Sequence, residues 1–460
     1  MNLSIVILAA GQGTRMKSEI PKVLHKLAGK TLLEHVYHAA SALKHRDILI
    51  VYGYGGEKIK TQLAHLPMTW IKQAKQLGTG HAVKQALPDI PDDDLVLILN
   101  GDVPLVTSVT LKQLVVAARD TGFGLLTSTI DDPSGYGRII RNKKGKLLRI
   151  VEEKDANEVE RSICEINTGM MVIAAKSLKR WIKKLDNKNT RKEFYLTDII
   201  EIAARDGATI NTIKSDSPVE IMGINNRVQL AEMERYYQYI QAHQLMRRGV
   251  TIMDPARFDL RGDLEIGEDV LIDINVLFEG RLKIGNDVSI GANCCIKDTI
   301  IADNVEILPN CVIDNAIIGS GCRIGPFSRI RPDTHLDENV HIGNFVEIKK
   351  STLGQGTKIN HLSYIGDTEV GRDVNIGAGT ITCNYDGANK HKTIIEDNVF
   401  IGSDTQLVAP VTVGSGATIG AGTTITKNVK AGVLAISRAE QKSIRNWKRP
   451  KKDRLKDTKK

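Results

Sequence analysis

The first residues that could do chemistry form a glycine-rich turn near the start of the chain. An apolar run over residues 4–10 is followed by Gly-Gln-Gly-Thr-Arg-Met at residues 11–16. Glycines let backbone N–H groups approach a phosphate closely, and the cations Arg15 and Lys22 would neutralise its charge. Gly-x-Gly alone is weak evidence, because any tight strand-to-helix turn can use it. The two nearby cations favour a phosphate-binding loop.

Polar residues that follow later apolar segments extend this candidate site. Asp102 comes soon after an apolar run, where it is suited to bind Mg²⁺ beside a nucleotide or, equally well, to hydrogen-bond the next turn. Residues 223–227 could supply a second metal ligand, and Glu152 and Asn167 are suited to sugar hydroxyls. Two glycine-containing loops where the backbone could approach a base or a sugar lie at residues 78–81 and 136–138.

A second candidate site lies in the C-terminal half of the chain. Arg331 and Lys349 place cations where a sugar phosphate could bind, and His361 could act as a base. A single histidine on a strand is more often structural. The two cations and the polar loop at residues 383–396 favour a catalytic role here.

A six-residue period of aliphatic residues predicts the fold that positions this second site. Neither a helix nor an alternating strand has such a period. The pattern is typical of a parallel β-helix with flat faces, in which residues eighteen apart stack, as Ile324 with Ile342 and Ile330 with Ile348. The unbroken series is Ile318, Ile324, Ile330, Leu336, Ile342 and Ile348.

The same register continues on both sides, from Ile266 to Ile425. We interpret two five-residue steps, from residue 348 to 353 and from 365 to 370, as small slips between coils. Scattered strands of a β-sandwich are the alternative, but they would not hold one frame over this length.

The pattern of residues 1–227 predicts a nucleotide-binding α/β domain. Short apolar runs alternate with amphipathic stretches, as in a mostly parallel, doubly wound sheet with its ligand at the carboxyl ends of the strands. Residues 228–248 contain neither Gly nor Pro, which predicts a long helix. Gly249 is placed where this helix would end. We predict a nucleotide-binding domain over residues 1–227, a linker helix over 228–248 and a β-helix domain over 249–460.

Composition narrows the class of protein. The chain of 460 residues is too long for one core, and its six cysteines lack metal-ligand spacing, which suggests reduced thiols in a cytoplasmic protein. The first apolar run is only strand length, and no run is long enough to span a membrane. Much of the net charge of +9 lies in residues 445–460, which we interpret as a solvated tail rather than a site for nucleic acid or a membrane.

Two motifs carry a resemblance to known enzymes. Leu-Ala-Ala-Gly-Gln-Gly-Thr-Arg-Met at residues 8–16, with Pro-Lys-Val-Leu at 21–24, resembles the signature of sugar-1-phosphate nucleotidyltransferases. Joined to hexapeptide repeats with Asn-Tyr-Asp-Gly-Ala-Asn-Lys at 384–390, it resembles the bifunctional GlmU family. That family joins an N-acetylglucosamine-1-phosphate uridyltransferase to a glucosamine-1-phosphate N-acetyltransferase. The resemblance implies a Rossmann-like α/β domain followed by a left-handed parallel β-helix of hexapeptide repeats.

The resemblance also implies roles in the uridyltransferase site. Arg15 and Lys22 would be catalytic contacts to the UTP phosphates, and Asp102 and Asn225 would hold Mg²⁺. Asn100 departs from the Tyr that family members often have before Gly-Asp, which puts in doubt any contact of that side chain with the nucleotide. Gln73, Gly78 and Thr79 would bind uracil; Gly137, Glu152 and Asn167 would contact N-acetylglucosamine-1-phosphate; Leu8, Ala9, Ala10, Gly11, Asn100, Gly101 and Asp102 would complete the site.

For the acetyltransferase site, the resemblance implies His361 as the catalytic base. The family's β-helix domains form trimers with sites between neighbouring subunits, so we expect a homotrimer. Arg331, Lys349, Tyr364, Asn375 and Lys390 would bind glucosamine-1-phosphate, and Ala378, Asn384, Tyr385, Ser403, Ala421 and Arg438 would line the acetyl-CoA site.

The sequence thus predicts a cytoplasmic enzyme with two steps. It would acetylate glucosamine-1-phosphate and couple the product to UMP from UTP, giving UDP-N-acetylglucosamine for peptidoglycan and lipopolysaccharide synthesis. One alternative is a monofunctional sugar-1-phosphate nucleotidyltransferase with a structural or regulatory β-helix. The other is a nucleotide-sensing scaffold without catalysis.

Overall fold

The computed structural model describes residues 2–450. These residues form two compact units. The N-terminal unit extends to Gln244 and includes Phe258–Gly262. The C-terminal unit comprises Leu245–Arg257 and the residues from Asp263 onward. The part of the predicted basic tail at residues 451–460 lies outside the described residues.

The N-terminal unit alternates strands with helices along the chain. Its strands are β1 (Leu3–Ala9), β2 (Lys26–Leu27), β3 (Lys30–Thr31), β4 (Asp47–Tyr52), β5 (Thr69–Lys72), β6 (Leu95–Asn100), β7 (Phe123–Thr129), β8 (Arg138–Arg141), β9 (Leu147–Val151), β10 (Glu165–Ala174) and β11 (Asn211–Lys214). Its helices are α1 (Leu32–Ser41), α2 (Gly56–Gln62), α3 (Thr79–Ala86), α4 (Ser108–Ala118), α5 (Glu158–Arg161), α6 (Ala175–Ile182), α7 (Asp198–Arg205) and α8 (Arg227–Arg247), of which α8 enters the C-terminal unit at its end.

A nine-stranded, mostly parallel sheet forms the centre of this unit. Seven strands follow the order β11-β7-β10-β6-β1-β4-β5, and β8 pairs with both β10 and β9. β1 is parallel to β4 and β6, whereas β10 runs antiparallel to β6 and β7. Ile5 and Ile7 of β1 belong to one apolar cluster and Val6 belongs to another, so both faces of the strand are covered. The predicted α/β class is confirmed.

Helix α8 matches the helix predicted over residues 228–248, but most of it packs as part of the N-terminal unit. Met233 is buried in a cluster with Leu27 and Ile224. The buried Gln238 donates to the Leu260 carbonyl at 2.9 Å and accepts the Leu260 N–H at 2.7 Å. The proposed division of activities at residues 227 and 249 stays a prediction.

The C-terminal unit consists of short parallel strands stacked in successive coils. After β12 (Thr251–Ile252) and β13 (Phe258–Ile266), the strands are β14 (Leu271–Ile272), β15 (Val276–Ile284), β16 (Ser289–Ile290), β17 (Cys295–Lys297), β18 (Ile300–Ile301), β19 (Glu306–Ile307), β20 (Val312–Asp314), β21 (Ala316–Ile318), β22 (Arg323–Ile324), β23 (Arg329–Ile330), β24 (Thr334–Leu336), β25 (His341–Asn344), β26 (Glu347–Lys349), β27 (Thr352–Leu353), β28 (Lys358–His361), β29 (Tyr364–Gly366), β30 (Thr368–Val370), β31 (Asn375–Ile376), β32 (Ile381–Cys383), β33 (Thr393–Ile395), β34 (Phe400–Ile401), β35 (Gln406–Val408), β36 (Val411–Val413), β37 (Thr418–Ile419), β38 (Thr424–Ile425) and β39 (Leu434–Ala435).

The register of these strands confirms the predicted stacking of Ile324 with Ile342 and of Ile330 with Ile348. These inward-facing residues are at most 1 % exposed. The parallel β-helix is therefore confirmed, and its left hand remains a prediction from the resemblance.

The interpretation of the five-residue steps as slips between coils is wrong. The step from residue 348 to 353 recurs at the same side of three other coils, from 296 to 301, from 313 to 318 and from 365 to 370, while the strands on both sides of it stay in register. In these four coils one corner has one residue fewer. As a result, Ile342 stacks on Ile359, seventeen residues later, instead of eighteen.

Two further sequence predictions concern membrane-spanning segments and the cysteines. None of the described helices has the length and apolar character needed to cross a membrane. Within the described residues, which include all six cysteines, no disulfide joins any two of them.

The neighbouring residues Ile317 and Ile318 test how much the inward stack stabilises the fold. Ile318 is 1 % exposed and Ile317 is 45 % exposed. We expect Ile318→Ala to lower the free energy of unfolding by about 2–5 kcal/mol and Ile317→Ala by less than about 1 kcal/mol. Urea denaturation of both variants measures the difference, and equal losses would contradict the assigned inward and outward faces.

Candidate functional sites

The carboxyl edge of the N-terminal sheet carries a cavity of about 550 Å³. Parallel pairing of β1 with β6 sets Leu8 opposite Asn100, and the Gly101 N–H donates to the Leu8 carbonyl at 2.9 Å. These contacts hold the glycine-rich turn after β1 beside the loop after β6. The predicted residues that line the cavity are Leu8, Ala9, Ala10, Gly11, Arg15, Lys22, Gln73, Gly78, Thr79, Asn100, Asp102 and Asn225.

Two cations and two oxygen-bearing side chains meet in this cavity. Lys22 Nζ contacts Asp102 Oδ2 and lies 3.2 Å from Asn225 Oδ1, and Arg15 donates to the same Oδ1 at 2.8 Å. Asn225 Nδ2 donates to the Gly223 carbonyl at 3.4 Å, which turns the amide oxygen toward the cations. Because one ammonium group contacts both oxygens, Asp102 and Asn225 are close enough to bind a single divalent cation.

The loop after β5 forms another wall of the cavity. Gln73 is buried, and its Nε2 donates to the Gly78 carbonyl at 3.2 Å. Gly78 has φ +108°, and a Cβ there would lie 2.6 Å from the Phe194 carbonyl oxygen, so only glycine fits. Thr79 Oγ1 accepts the Leu196 N–H at 3.0 Å. The loop is thus held in place by the segment that precedes α7.

Four predicted residues, Gly101, Gly137, Glu152 and Asn167, are outside the cavity lining within the described part of the chain. Three of them form a group of their own. The Asn167 N–H donates to the Gly137 carbonyl at 2.8 Å, and a Cβ on Gly137 would lie 3.5 Å from Glu152 Oε1. The structure therefore brings together the residues predicted to contact the sugar.

Asn100, which departs from the family's frequent Tyr, has a structural contact of its own. Its Nδ2 donates to the Thr168 carbonyl at 3.3 Å. A Cβ on Gly169, which has φ +78°, would lie 2.5 Å from the same nitrogen. Asn100 and Gly169 therefore fit together at the floor of the cavity.

Sequence reasoning missed Arg191 and Glu193, which line the cavity from the segment before α7. No motif marks these residues, because they come from a polar stretch that the α/β pattern predicts only as a connection. The contacts of Gly78 with Phe194 bring this stretch to the site.

Carboxyl groups crowd around Glu152, one of the residues predicted to contact the sugar. Thr197 Oγ1 donates to Glu152 Oε1 at 3.0 Å, and burial raises the pKa of Glu152. Burial, followed by repulsion from Glu152, Asp186, Glu201 and Asp155, raises the pKa of Asp198 to about 6. A neutral carboxyl is therefore available on α7 just below neutral pH.

In the β-helix, His361 lies in a column of residues on successive coils. His361 Nδ1 lies 2.9 Å from Oδ1 of Asn344, its register partner in the preceding coil. In the next coils, the Gly379 N–H donates to the His361 carbonyl at 3.4 Å and the Asp404 N–H donates to the Ala378 carbonyl at 2.7 Å. Sequence reasoning missed Asn344, because the seventeen-residue register was not foreseen.

Residues predicted for acetyl-CoA continue this column. The Gly422 N–H, directly after Ala421, donates to the Ser403 carbonyl at 2.8 Å. A Cβ on Gly420 would lie 3.6 Å from a guanidinium nitrogen of Arg438. Ala378, Ser403, Ala421 and Arg438 therefore lie along one edge of the β-helix. Asn375 pairs with Lys358 three residues before Ala378.

Three cations come together on the other sheet. The Arg331 N–H donates to the Ile348 carbonyl at 2.8 Å, which places Arg331 beside Lys349. The ammonium groups of Lys349 and Lys390 lie within hydrogen-bonding reach, and this contact lowers the pKa of Lys349. Glu347 contacts Arg331 at 2.8 Å. The excess positive charge at this position suits an anion such as a sugar phosphate.

The loop that carries Lys390 is joined to this cluster through Asn384. Asn384 is buried, and its Nδ2 donates to Asp367 Oδ2 at 2.6 Å and lies 3.4 Å from Tyr364 Oη. Tyr385 is exposed at the start of the loop. No contact described within one chain joins His361, in the eleven-stranded sheet, to the three cations on the seventeen-stranded sheet.

One corner of the β-helix beside His361 is unusually apolar. In earlier coils Asn275, Asn293 and Asn310 occupy this corner with φ of 58°, 62° and 65°, a conformation that asparagine tolerates well. In the next three coils Phe327, Phe345 and Leu362 take the same conformation with φ of 57°, 57° and 50°. They are 51 %, 56 % and 61 % exposed, and the two phenyl rings stack at 5.4 Å. The apolar corner, residues 327, 345 and 362, therefore combines backbone strain with exposed apolar surface.

Comparison with known proteins matches stretches of both units of the chain. Residues 5–197 match the family model of the MobA-like NTP transferase domain, residues 260–333 match the GMPPB C-terminal domain, and residues 392–427 match the bacterial transferase hexapeptide (six repeats). A protein of Methylococcus capsulatus named bifunctional protein GlmU is 57% identical to this chain over 455 residues, which cover 99% of each chain. The similarity thus extends over both units.

Asp198→Asn tests the crowding of carboxyl groups near Glu152. In the folded protein the pKa of Asp198 is about 6, against an ordinary value of about 3.8, so ionisation between these pH values destabilises the wild type. The variant lacks that cost, and we expect it to be more stable at pH 8 by roughly 1 kcal/mol, after allowance for solvent screening, and not at pH 4. Urea denaturation at both pH values measures the gain.

The exposed Asp120 on the same unit offers a matched control. Asp120→Asn should change stability little at either pH. A gain for Asp198→Asn that is equal at pH 4 and pH 8 would contradict the assigned electrostatics.

Proposed function

Because this chain belongs to the GlmU family of bifunctional enzymes, we propose that the cavity of the N-terminal unit carries its uridyltransferase site and that the β-helix carries its acetyltransferase site. The chain is an enzyme with two transferase activities, acetyl transfer from acetyl-CoA to glucosamine-1-phosphate and uridylyl transfer from UTP to N-acetylglucosamine-1-phosphate with release of pyrophosphate. The product is UDP-N-acetylglucosamine. The monofunctional enzyme and the nucleotide-sensing scaffold are set aside, because the identity extends over both units.

One observation supports the uridyltransferase site: the cations Lys22 and Arg15 contact the oxygen-bearing side chains of Asp102 and Asn225. The nucleophile is the phosphate of N-acetylglucosamine-1-phosphate, which is already anionic and needs no base. The obstacle is to hold two polyanions in line, and Arg15 and Lys22 would bind the UTP phosphates for this purpose. Asp102 and Asn225 would hold Mg²⁺, which supplies further charge neutralisation when bound.

The walls of the cavity would select the two substrates. Gln73 presents a fixed amide and Gly78 an open backbone where uracil would bind. On the opposite side Gly137, Glu152 and Asn167 would contact the N-acetylglucosamine moiety. A half-buried carboxylate such as Glu152 suits sugar hydroxyls, because it accepts two hydrogen bonds.

The contact of His361 with Asn344 supports the acetyltransferase site. If Nδ1–H donates to Asn344 Oδ1, the lone pair of Nε2 is the one that can accept a proton. The free amine of glucosamine-1-phosphate would attack the thioester carbon of acetyl-CoA, and His361 would take the proton that the nitrogen loses. The C–S bond would then break, and the proton held by His361 would pass to the sulfur, so that CoA leaves as the thiol.

Arg331, Lys349 and Lys390 would bind the phosphate of this amine substrate, with Tyr364 nearby. Asn375, which lies on the eleven-stranded sheet with His361, would also contact this substrate. The column above His361, which contains Ala378, Ser403 and Ala421, would bind acetyl-CoA together with Asn384, Tyr385 and Arg438. Exposed backbone and small side chains along this edge leave room for an extended ligand.

A homotrimer would complete the acetyltransferase site. The apolar corner formed by Phe327, Phe345 and Leu362 is strained and exposed in one chain, and burial against a neighbouring copy would stabilise it. His361 lies directly before Leu362, so a neighbour at this corner would also reach the candidate site. Both co-substrates are cytoplasmic metabolites, and we place the enzyme in the cytoplasm.

Arg15→Ala tests the uridyltransferase site. We expect kcat/KM for uridylyl transfer to fall at least about 100-fold, because a cation on the transferred phosphates is lost, while the melting temperature stays unchanged. Pyrophosphate release from UTP and N-acetylglucosamine-1-phosphate is the measurement. Lys17→Ala, two residues away and exposed, is the control and should retain activity. Equal losses in both variants would indicate a general charge effect instead.

His361→Ala tests the acetyltransferase site. Loss of the base should lower acetyl transfer at least about 100-fold, and Asn344→Ala should cause a smaller loss because it frees the ring to change tautomer. CoA thiol release from acetyl-CoA and glucosamine-1-phosphate, without UTP, measures both. His335→Ala, another exposed histidine of the β-helix, is the control. Wild-type thiol release in the folded His361→Ala variant would refute the assigned base.

A further inference from the structure

We propose that His391 is a positioning residue for acetyl transfer. Its contact with Asp386, called the clamp below, fixes the loop at residues 383–396 so that Lys390 faces Lys349. The inference rests on the proposed acetyltransferase site. His391 follows the Asn-Tyr-Asp-Gly-Ala-Asn-Lys motif directly and had no role in the sequence analysis.

Asp386 is the centre of the clamp. Its Oδ1 accepts the N–H groups of Ala388 at 2.8 Å and Asn389 at 2.6 Å, and its Oδ2 lies 2.6 Å from His391 Nε2. The Asn389 N–H and then His391 hold the pKa of Asp386 far below its usual range. The carboxylate is therefore ionised at every working pH, and it accepts hydrogen bonds from both the turn and the ring.

The clamp closes a short hairpin. Tyr385 and Lys390 form an antiparallel bridge, and the His391 N–H donates to the Asn384 carbonyl at 2.8 Å. Asn384 is buried at the base of the hairpin, whereas residues 385–390 are exposed. The tip has no apolar core of its own, so its shape depends on the polar contacts of Asp386.

Lys390 needs such a constraint more than an ordinary surface lysine. Its ammonium group is held against that of Lys349, with Arg331 also close enough to repel both, and Asp367, 3.9 Å from the Lys349 ammonium group, offsets only part of this repulsion. A free lysine side chain would gain conformational entropy and lose this repulsion by turning away into solvent. With Tyr385 paired on one side and His391 clamped on the other, the backbone of Lys390 stays beside Lys349, ready for a phosphate.

A histidine paired with an aspartate could instead be a second proton acceptor. His391→Gln separates the two roles, because the glutamine amide can still donate to Asp386 but cannot accept a proton at neutral pH. His391→Ala removes both. Asp386→Asn weakens the clamp from the other side without altering the histidine.

Steady-state acetyl transfer by the full-length enzyme tests the proposal. We expect His391→Ala and Asp386→Asn to raise KM for glucosamine-1-phosphate about 10-fold, with kcat changed less than about 3-fold, since ground-state binding is what Lys390 supplies. Inhibition by inorganic phosphate should weaken in parallel. His391→Gln should stay within about 3-fold of the wild type in both constants. Uridylyl transfer by the same samples should be unchanged, which shows that each variant is folded.

Other outcomes would overturn the proposal in distinguishable ways. An unchanged KM and phosphate inhibition in both His391→Ala and Asp386→Asn would refute the clamp alone. Loss of kcat in His391→Gln as well as His391→Ala would make His391 a base instead of a positioning residue. Absence of acetyl transfer in the wild type would refute the proposed function, and the clamp with it.

Discussion

Parallel pairing of strands in a fixed register is the constraint on which both units depend. In the N-terminal sheet, pairing of β1 with β6 places the turn that carries Arg15 beside the loop that carries Asp102. In the β-helix, pairing of β25 with β28 places Asn344 against His361. In both cases residues far apart in the sequence meet because the strands before them are locked together.

Burial of aliphatic side chains sets that register. In the β-helix, Ile342 stacks on Ile359 inside the coil, and their outward neighbours must follow. A slip of one residue would turn these isoleucines toward solvent and would point His361 the wrong way, so the cost of exposing the core protects the geometry of the site. The apolar core thereby controls the placement of polar groups that it does not touch.

Periodicity and motifs made much of this arrangement predictable. The six-residue period predicts the stacking of Ile324 with Ile342, and the spacing of glycines and cations predicts that Arg15 and Lys22 lie at a phosphate site. For Asp102 the sequence left a metal ligand and a hydrogen bond to the next turn equally open. The residues themselves indicate only that 223–227 could supply a second metal ligand, and the resemblance selects Asn225 among them. Aliphatic repeats reveal inward positions clearly because burial allows few residue types there.

What could not be predicted depends on contacts across the fold. Arg191 and Glu193 reach the cavity only because the backbone near Phe194 packs against Gly78. The one-residue shortening of a corner in four coils looked like an irregularity, since only two of its five-residue steps, from residue 348 to 353 and from 365 to 370, were noticed in the sequence. Helix α8 looked like a separate linker because its buried partners, Leu27 and Ile224, lie outside it in the sequence.

We propose that two chemistries reside in two separate sites of one chain. Mixing the Arg15→Ala and His361→Ala variants with glucosamine-1-phosphate, acetyl-CoA and UTP tests it most directly. Each variant alone should form almost no UDP-N-acetylglucosamine, and the mixture should form it, because the acetylated sugar phosphate released by one variant is the substrate of the other. A mixture as inactive as its components, or full activity in either variant alone, would contradict the account.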